Sequence, residues 1–295
     1  MLPDGRTMGF SDYGSPDGYP VFYFHGFPSS RLEGSVVDTI ARKRQLRFLT
    51  LERPGFGIST FQPNRRVVDW ARAVSAFAEK LHLDRFAIIG GSGGGPYALA
   101  CAHELPGEMV SAIGLFASGG PYDKSWEGIP MRSRLGHYAA MYWPSGLSAV
   151  ASGIVGTAKW ALRNGPTGRR YEQFLLAVQA KGLDEGSVML EKTGAELREE
   201  AIRTMCEGFA QGPGAFTQEA LVLSTHWGFE LENVDFDPVQ IWHGTEDKNT
   251  PIAWVRNMAK RIPHARMVEF DGDSHYSMDK HLERVLTDLV PDSVS

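Results

Sequence analysis

Phe86-Ala-Ile-Ile-Gly-Gly-Ser92-Gly-Gly-Gly-Pro-Tyr-Ala-Leu-Ala100 joins a short apolar run to an Ala/Leu-rich segment through a serine set among glycines. The pattern reads as strand, very tight turn, helix. Such a turn holds its central residue in a cramped backbone conformation, and neighbours two positions away, here Gly90 and Gly94, must lack a Cβ to avoid collision. Ser92 then stands clear above the carboxyl end of the strand, and the Gly93 N–H, opening the helix, points at any oxyanion formed there. Glycine-rich strand-to-helix turns also cradle phosphates, and Gly93-Gly94-Gly95-Pro96-Tyr97-Ala98 satisfies G-x-G-x-x-A. That fingerprint expects an acidic residue about 20 positions on, at the end of the next strand. The expected strand Val110–Phe116 ends instead in Ala117-Ser118-Gly119-Gly120, and no Walker lysine follows the turn.

Working outward, Thr7–Tyr13 alternates like a strand, and after the turn Ser15-Pro-Asp-Gly18 comes a buried-strand run, Pro20–Phe24. A loop, His25-Gly26-Phe27-Pro28-Ser29-Ser30-Arg31, leads to a helix over about 31–44, and the strand Arg47–Glu52 ends in Arg53-Pro54-Gly55-Phe56-Gly57-Ile58-Ser59. Asn64 is expected to cap a helix through about Leu81, with Val67, Trp70, Val74, Phe77 and Leu81 at helical spacing. Strands alternating with helices imply an α/β fold whose mostly parallel sheet is covered on both faces. Between Pro121 and Trp227 the strand rhythm gives way to helical segments at roughly 132–143, 146–163, 169–181, 187–192, 195–209 and 214–226. The sheet then resumes with Pro238–His243, a helix from Thr250-Pro251 to about Arg261, the strand Arg266–Phe270 and a last helix, His281–Leu289.

At 295 residues, 42% hydrophobic and 22% charged, the chain can bury one large core and a subsidiary lobe. The formal charge of -5 reads as mild and spread out, so neither nucleic acid nor an anionic membrane is an expected partner. Cys101 and Cys206 lie far apart in helical segments, which excludes a disulfide framework. With no signal-peptide core and no apolar run near the roughly 18 residues of a membrane span, the cytoplasm is the expected compartment.

Three landmarks in order, His25-Gly26-Phe27-Pro28, Arg53–Ser59 and the Ser92 turn, resemble those of the α/β-hydrolase family, and the resemblance spans the chain outside residues 121–227. It implies the α/β-hydrolase fold, with residues 1–120 and 228–295 as the core and 121–227 as an all-helical cap over the nucleophile. It also implies that the Phe27 amide partners that of Gly93 in an oxyanion hole. His25 itself reads as a loop-fixing residue and the Arg53–Ser59 loop as scaffold. A serine needs a histidine base, and that base a carboxylate. Among nine histidines, those at strand ends are His25, His243 and His275, and the glycine-rich loop Asp271-Gly-Asp-Ser-His275 favours the last. Asp247 matches the family's acid position; Glu246 is its adjacent competitor, and Asp271 and Asp273 stand too close to His275 in sequence to orient its ring. The order Ser92, Asp247, His275 is that of the fold.

The chemistry implied is hydrolysis of an ester, lactone or related acyl bond of a medium-sized apolar small molecule, with no metal or organic cofactor and with a homodimer left open. Substrate contacts are expected at Phe27 and, from the aromatic and methionine content of the helical segment, at Trp126, Met131 and Tyr138. The alternatives are a non-hydrolytic enzyme on the same fold, such as a lyase, a C–C bond-cleaving enzyme or a cofactor-free oxygenase, or a ligand receptor that keeps the triad.

Overall fold

The computed structural model describes residues 1–122, 128–182 and 193–291, the side chains of residues 174 and 177–182 excepted. Its strands are β1 (Phe10–Gly14), β2 (Tyr19–Phe24), β3 (Leu46–Leu51), β4 (Phe86–Gly91), β5 (Val110–Phe116), β6 (Val239–Gly244) and β7 (Ala265–Phe270). They lie in one sheet in the order β1-β3-β2-β4-β5-β6-β7, with β1 antiparallel to β3 and all other pairs parallel. The helices, in chain order, are α1 (Asp38–Lys43), α2 (Trp70–Lys80), α3 (Gly95–Glu104), α4 (Met131–Tyr142), α5 (Pro144–Arg163), α6 (Gly165–Gly182), α7 (Gly194–Glu207), α8 (Gly214–Ser224), α9 (Ile252–Arg261) and α10 (Leu282–Leu289).

Strand side chains alternate between two cores. Phe22, Phe24, Phe86 and Ile88 face α2, α3 and α9, whereas Val21, Ala87 and Ile89 face α1 and α10. Phe22 stacks on Phe86 with ring centres 4.2 Å apart and meets Phe77 of α2 edge-on at 5.6 Å. The crossover from β2 runs to β3 on one side, and the one from β3 returns past β2 to β4 on the other. This reversal opens a crevice above the carboxyl ends of β2 and β4, from which the His25 loop and the Ser92 turn emerge.

Two expectations change. The 31–44 segment begins as a 3₁₀ turn, Arg31–Val37, before α1. The helix expected from Asn64 starts only at Trp70, and Asn64 has a positive φ of 55°. Residues 65–68 are committed elsewhere: Arg65 turns inward to Glu219, and the Val68 N–H donates to Trp227 O at 2.9 Å. The five helices α4 to α8 stand between β5 and β6, with α5 packed on α4, α6, α7 and α8; the helix expected at 187–192 lies outside the described residues. Among the described residues no helix is long and apolar enough to cross a membrane.

Beside the apolar packing of Val222 and Phe216, a buried ionic cluster fastens α8 to the core. Glu219, fully buried, lies with one carboxylate oxygen 2.7 Å from Arg53 Nε and the other against Arg65, while the Tyr97 hydroxyl of α3 donates at 3.0 Å. Burial pushes this carboxyl up, but the two guanidiniums and Tyr97 outweigh it, and the net direction is down. A second tie runs from Glu207 of α7 to Arg31 at 2.5 Å and on to buried Glu52 at 2.9 Å.

Because the Glu219 carboxyl is depressed in the folded state, its stabilisation is fully present above the ordinary carboxylate range and disappears as pH falls through the folded value. Glu219→Gln would leave two buried guanidiniums without their counter-charge, so chemical denaturation near neutral pH should show a loss of about 3–5 kcal/mol. That difference should shrink as pH drops below about 4. A loss under about 1 kcal/mol, the range of exposed pairs, would mean that something other than this cluster fastens α8.

Candidate active site

Ser92 has a φ of +49°, in the left-handed region that only a strongly constrained non-glycine residue occupies. The constraint is local crowding. A Cβ on Gly90 would lie 2.5 Å from Gly94 O, and one on Gly94 would lie 1.9 Å from Phe24 O, so both positions must be glycine for β4 to turn directly into α3. The Ser118 hydroxyl, at the end of β5, donates to Ser92 O at 2.7 Å and fixes the turn from the other side.

His275 follows β7 and Asp247 follows β6, and the structure brings them together: His275 Nδ1 is 2.7 Å from Asp247 Oδ2. Asp247 is itself held by its own loop. The Asn249 and Thr250 amides donate to Oδ1 at 2.7 and 2.9 Å, and the Thr250 hydroxyl donates to Oδ2 at 2.9 Å. Burial raises this carboxyl, yet the bonds from His275 and Thr250 carry the net shift downward, so it is an anion at neutral pH. In the neutral tautomer that donates from Nδ1, the Nε2 lone pair is free, as a general base requires. Glu246 is exposed and its side chain takes no part. Asp273 is used otherwise, accepting from Ser277 and His281 at 2.7 Å each, which folds the loop that carries His275.

The other two strand-end histidines are buried and structural. His243 Nε2 bonds Thr250 O at 2.7 Å, bracing the Asp247 loop, and burial lowers its pKa so that it stays neutral beside the carboxylate. His25 Nδ1 donates to Gly26 O at 2.9 Å, and burial, reinforced by Arg53, keeps it neutral too. Asn249 and Thr250 were not separable from other loop residues by sequence pattern alone, since a carboxylate's backbone partners carry no residue-type signal.

Ser92, Gly93, Phe27 and His275 all line one cavity of about 570 Å³ above the sheet. The two oxyanion-loop candidates touch: a Cβ built on Gly93 would lie 2.7 Å from Phe27 Cβ and 3.2 Å from Phe27 N. Among the described residues the Phe27 amide has no acceptor. The loop beneath it is pinned by Arg53, which donates to His25 O and, at 2.8 Å, to Gly26 O, and by Glu33, which accepts the Gly26 N–H at 3.0 Å. Phe27 stacks on Phe216 of α8 with ring centres 5.0 Å apart.

The rest of the lining differs from expectation. Met131 and Tyr138 are exposed and stand outside the cavity, on the outer side of α4, with Tyr138 stacked on Tyr142; Trp126 lies outside the described residues. From residues 121–227 come Tyr122, Arg132, Ser133, Leu223 and Trp227 instead. The apolar walls belong mainly to the sheet and its own helices, through Val37, Phe48, Ile89, Phe116, Leu282 and Leu286. Helical content alone could not distinguish an inner from an outer aromatic face, which is why those two residues were misplaced. Two carboxylic acids that no motif marked, Glu33 and Asp279, also border the cavity; desolvation and the nearby Glu33 push the Asp279 carboxyl up.

An arrangement of this kind can attack an electrophilic carbonyl and receive the charge on two amides. Comparison with known proteins agrees with the architecture. A proline iminopeptidase from Lactobacillus delbrueckii subsp. bulgaricus is 24% identical over 268 residues, covering 88% of this chain and 84% of that protein. A pimeloyl-[acyl-carrier protein] methyl ester esterase from Aromatoleum aromaticum is 32% identical over 146 residues, 49% of this chain and 53% of that one. Among solved structures, an esterase from Exiguobacterium antarcticum superposes with a TM-score of 0.65 at 16% identity, covering 99% of this chain and 97% of that one. Residues 21–288 match the alpha/beta hydrolase family, and the chain belongs to it.

Proposed function

We propose that the protein hydrolyses an ester, lactone or related acyl bond of a medium-sized, mainly apolar substrate through an acyl-enzyme. The observation that carries this reading is the Asp247-bound imidazole of His275 lining the same cavity as the strained Ser92, with the Phe27 and Gly93 amides beside it. Support also comes from relatives named as an esterase and an iminopeptidase and from a structural neighbour named as an enol-lactonase, from Burkholderia xenovorans. In this reading His275 Nε2 takes the Ser92 proton as Oγ adds to the carbonyl carbon. The Phe27 and Gly93 N–H groups hold the resulting oxyanion, and one such donor is typically worth about 10²–10³ in rate. The imidazolium, stabilised by Asp247, protonates the leaving oxygen or nitrogen as the acyl–heteroatom bond breaks. Water, deprotonated by His275, then adds to the acyl-enzyme, and Ser92 leaves with its proton restored. Residues 121–227 act as a cap, with α8 over the oxyanion loop, and residues 1–120 and 228–295 form the catalytic core.

Ser92→Ala should lower hydrolysis of a p-nitrophenyl ester by several powers of ten without changing the thermal melt; retention of more than a few per cent of the activity would remove Ser92 as nucleophile. Because Asp247 and not Glu246 meets the imidazole, Asp247→Asn should damage kcat far more than Glu246→Gln does, and equal losses would sink the assignment.

The apolar walls predict selectivity by chain length. In a series of p-nitrophenyl esters, kcat/KM should rise about fourfold per added methylene, from about 0.8 kcal/mol each, until the cavity is full. A flat profile, or a preference for acetate, would rule out apolar burial as the source of specificity.

A further inference from the structure

The chain-wide charge conceals a local asymmetry. Residues 128–171 hold six Lys and Arg and no Asp or Glu, in a chain of formal charge -5, so the remainder is more acidic than the whole. This stretch is α4, α5 and the start of α6. The same helices carry a concentration of exposed large apolar side chains: Tyr142 is 76% exposed, Trp160 68%, Met131 66% and Ile154 65%, with Leu135 and Trp143 beside them. Lys159 of α5 and Arg169 and Arg170 at the start of α6 are exposed. A well-packed helical layer has no reason to turn tryptophan and isoleucine outward, and patches of this kind mark a surface that is covered by something else.

From this combination we infer that the outer face of α4 and α5 docks on an anionic lipid bilayer, lying in the headgroup region without crossing it. Interfacial helices show this composition: Trp, Tyr and aliphatic side chains that sink to the acyl boundary, rimmed by Lys and Arg that meet lipid phosphates. Charge chooses between a bilayer and a second copy of the chain. A two-fold dimer through this face would set the patch against itself, bringing Lys159, Arg169 and Arg170 together with no carboxylate from 128–171 to neutralise them, Arg163 being paired with Glu199. A phosphate-bearing surface supplies the missing negative charge. The docked face also adjoins the cavity, since Arg132 and Ser133 in the first turn of α4 line it. An apolar substrate dissolved in the bilayer would thus arrive beside the cavity without passing through bulk water.

The test is co-sedimentation of the full chain with vesicles of phosphatidylcholine containing about one-third phosphatidylglycerol, against phosphatidylcholine alone, at low and raised salt. The protein should partition to the anionic vesicles and much less to the neutral ones, with tryptophan emission shifting to the blue. Lys159→Gln, Arg169→Gln and Arg170→Gln should each weaken partition roughly fivefold at low salt. The double variant Ile154→Ser, Trp160→Ser should weaken it about tenfold or more, with melting temperature and hydrolysis of a water-soluble ester unchanged. That last control separates failure of this inference from failure of the hydrolase reading. Three results would overturn it: no partition to anionic vesicles, partition that the Ile154/Trp160 variant leaves intact, or a concentration-dependent dimer that this variant abolishes.

Discussion

A single buried carboxylate, Glu219, lies between the guanidiniums of Arg53 and Arg65, and the candidate site is arranged around that contact. Three charges out of water are costly unless every one is met. Here Glu219 is paired with both arginines and accepts from the Tyr97 hydroxyl, and the Arg53 guanidinium lies over the Phe56 and Tyr97 rings at 5.5 and 5.1 Å. Arg53 also donates from Nη1 to His25 O and from Nη2 to Gly26 O, so the carboxylate of α8 fixes, through one side chain, the loop that carries Phe27. The same helix places Phe216 on the Phe27 ring and Leu223 against Gly93. The loop Arg53–Ser59 is tied to the helical layer as well, with Gln211 donating to Gly57 O and Ser59 O. Sheet, oxyanion loop and helical layer are therefore one mechanical unit at this point.

How far such a site can be read from sequence depends on the range of the interactions that make it. The Ser92 turn was legible because its determinants are glycines within two residues of it, and the parallel strands were legible because each is a short apolar run bounded by turn residues. The Glu219 cluster was not, since its members lie up to 166 positions apart and a lone glutamate in a helix looks like a solvated one. That blindness also explains the misplaced start of α2: periodicity from Val67 onward suggests a helix from Asn64, but Arg65 is drawn into the cluster and Val68 into a bond with Trp227. In the same way, averaging charge over 295 residues erased the all-basic run at 128–171. Met131 and Tyr138 failed for a related reason, because a helix with apolar side chains on two faces does not say which face meets the ligand.

The acidic side of the cavity completes the electrostatic picture. Glu33 stands close to where an oxyanion would form, as the nearness of Gly26 to both Glu33 and Ser92 shows, and a bare carboxylate there would oppose the developing charge. The structure offsets it with the Gly26 N–H, at 3.0 Å, and the Tyr23 hydroxyl, whose own ionisation burial pushes well upward, so it remains a donor. Arg53, on the far side of the same loop, supplies the compensating positive field. Glu33 therefore serves the oxyanion loop as an anchor while its charge is absorbed locally. Asp279 and Arg132 place one acid and one base on the remaining polar lining, while Phe48, Ile89 and Leu286 supply apolar wall. The larger share of the cavity wall is apolar, in keeping with the mainly apolar substrate proposed above.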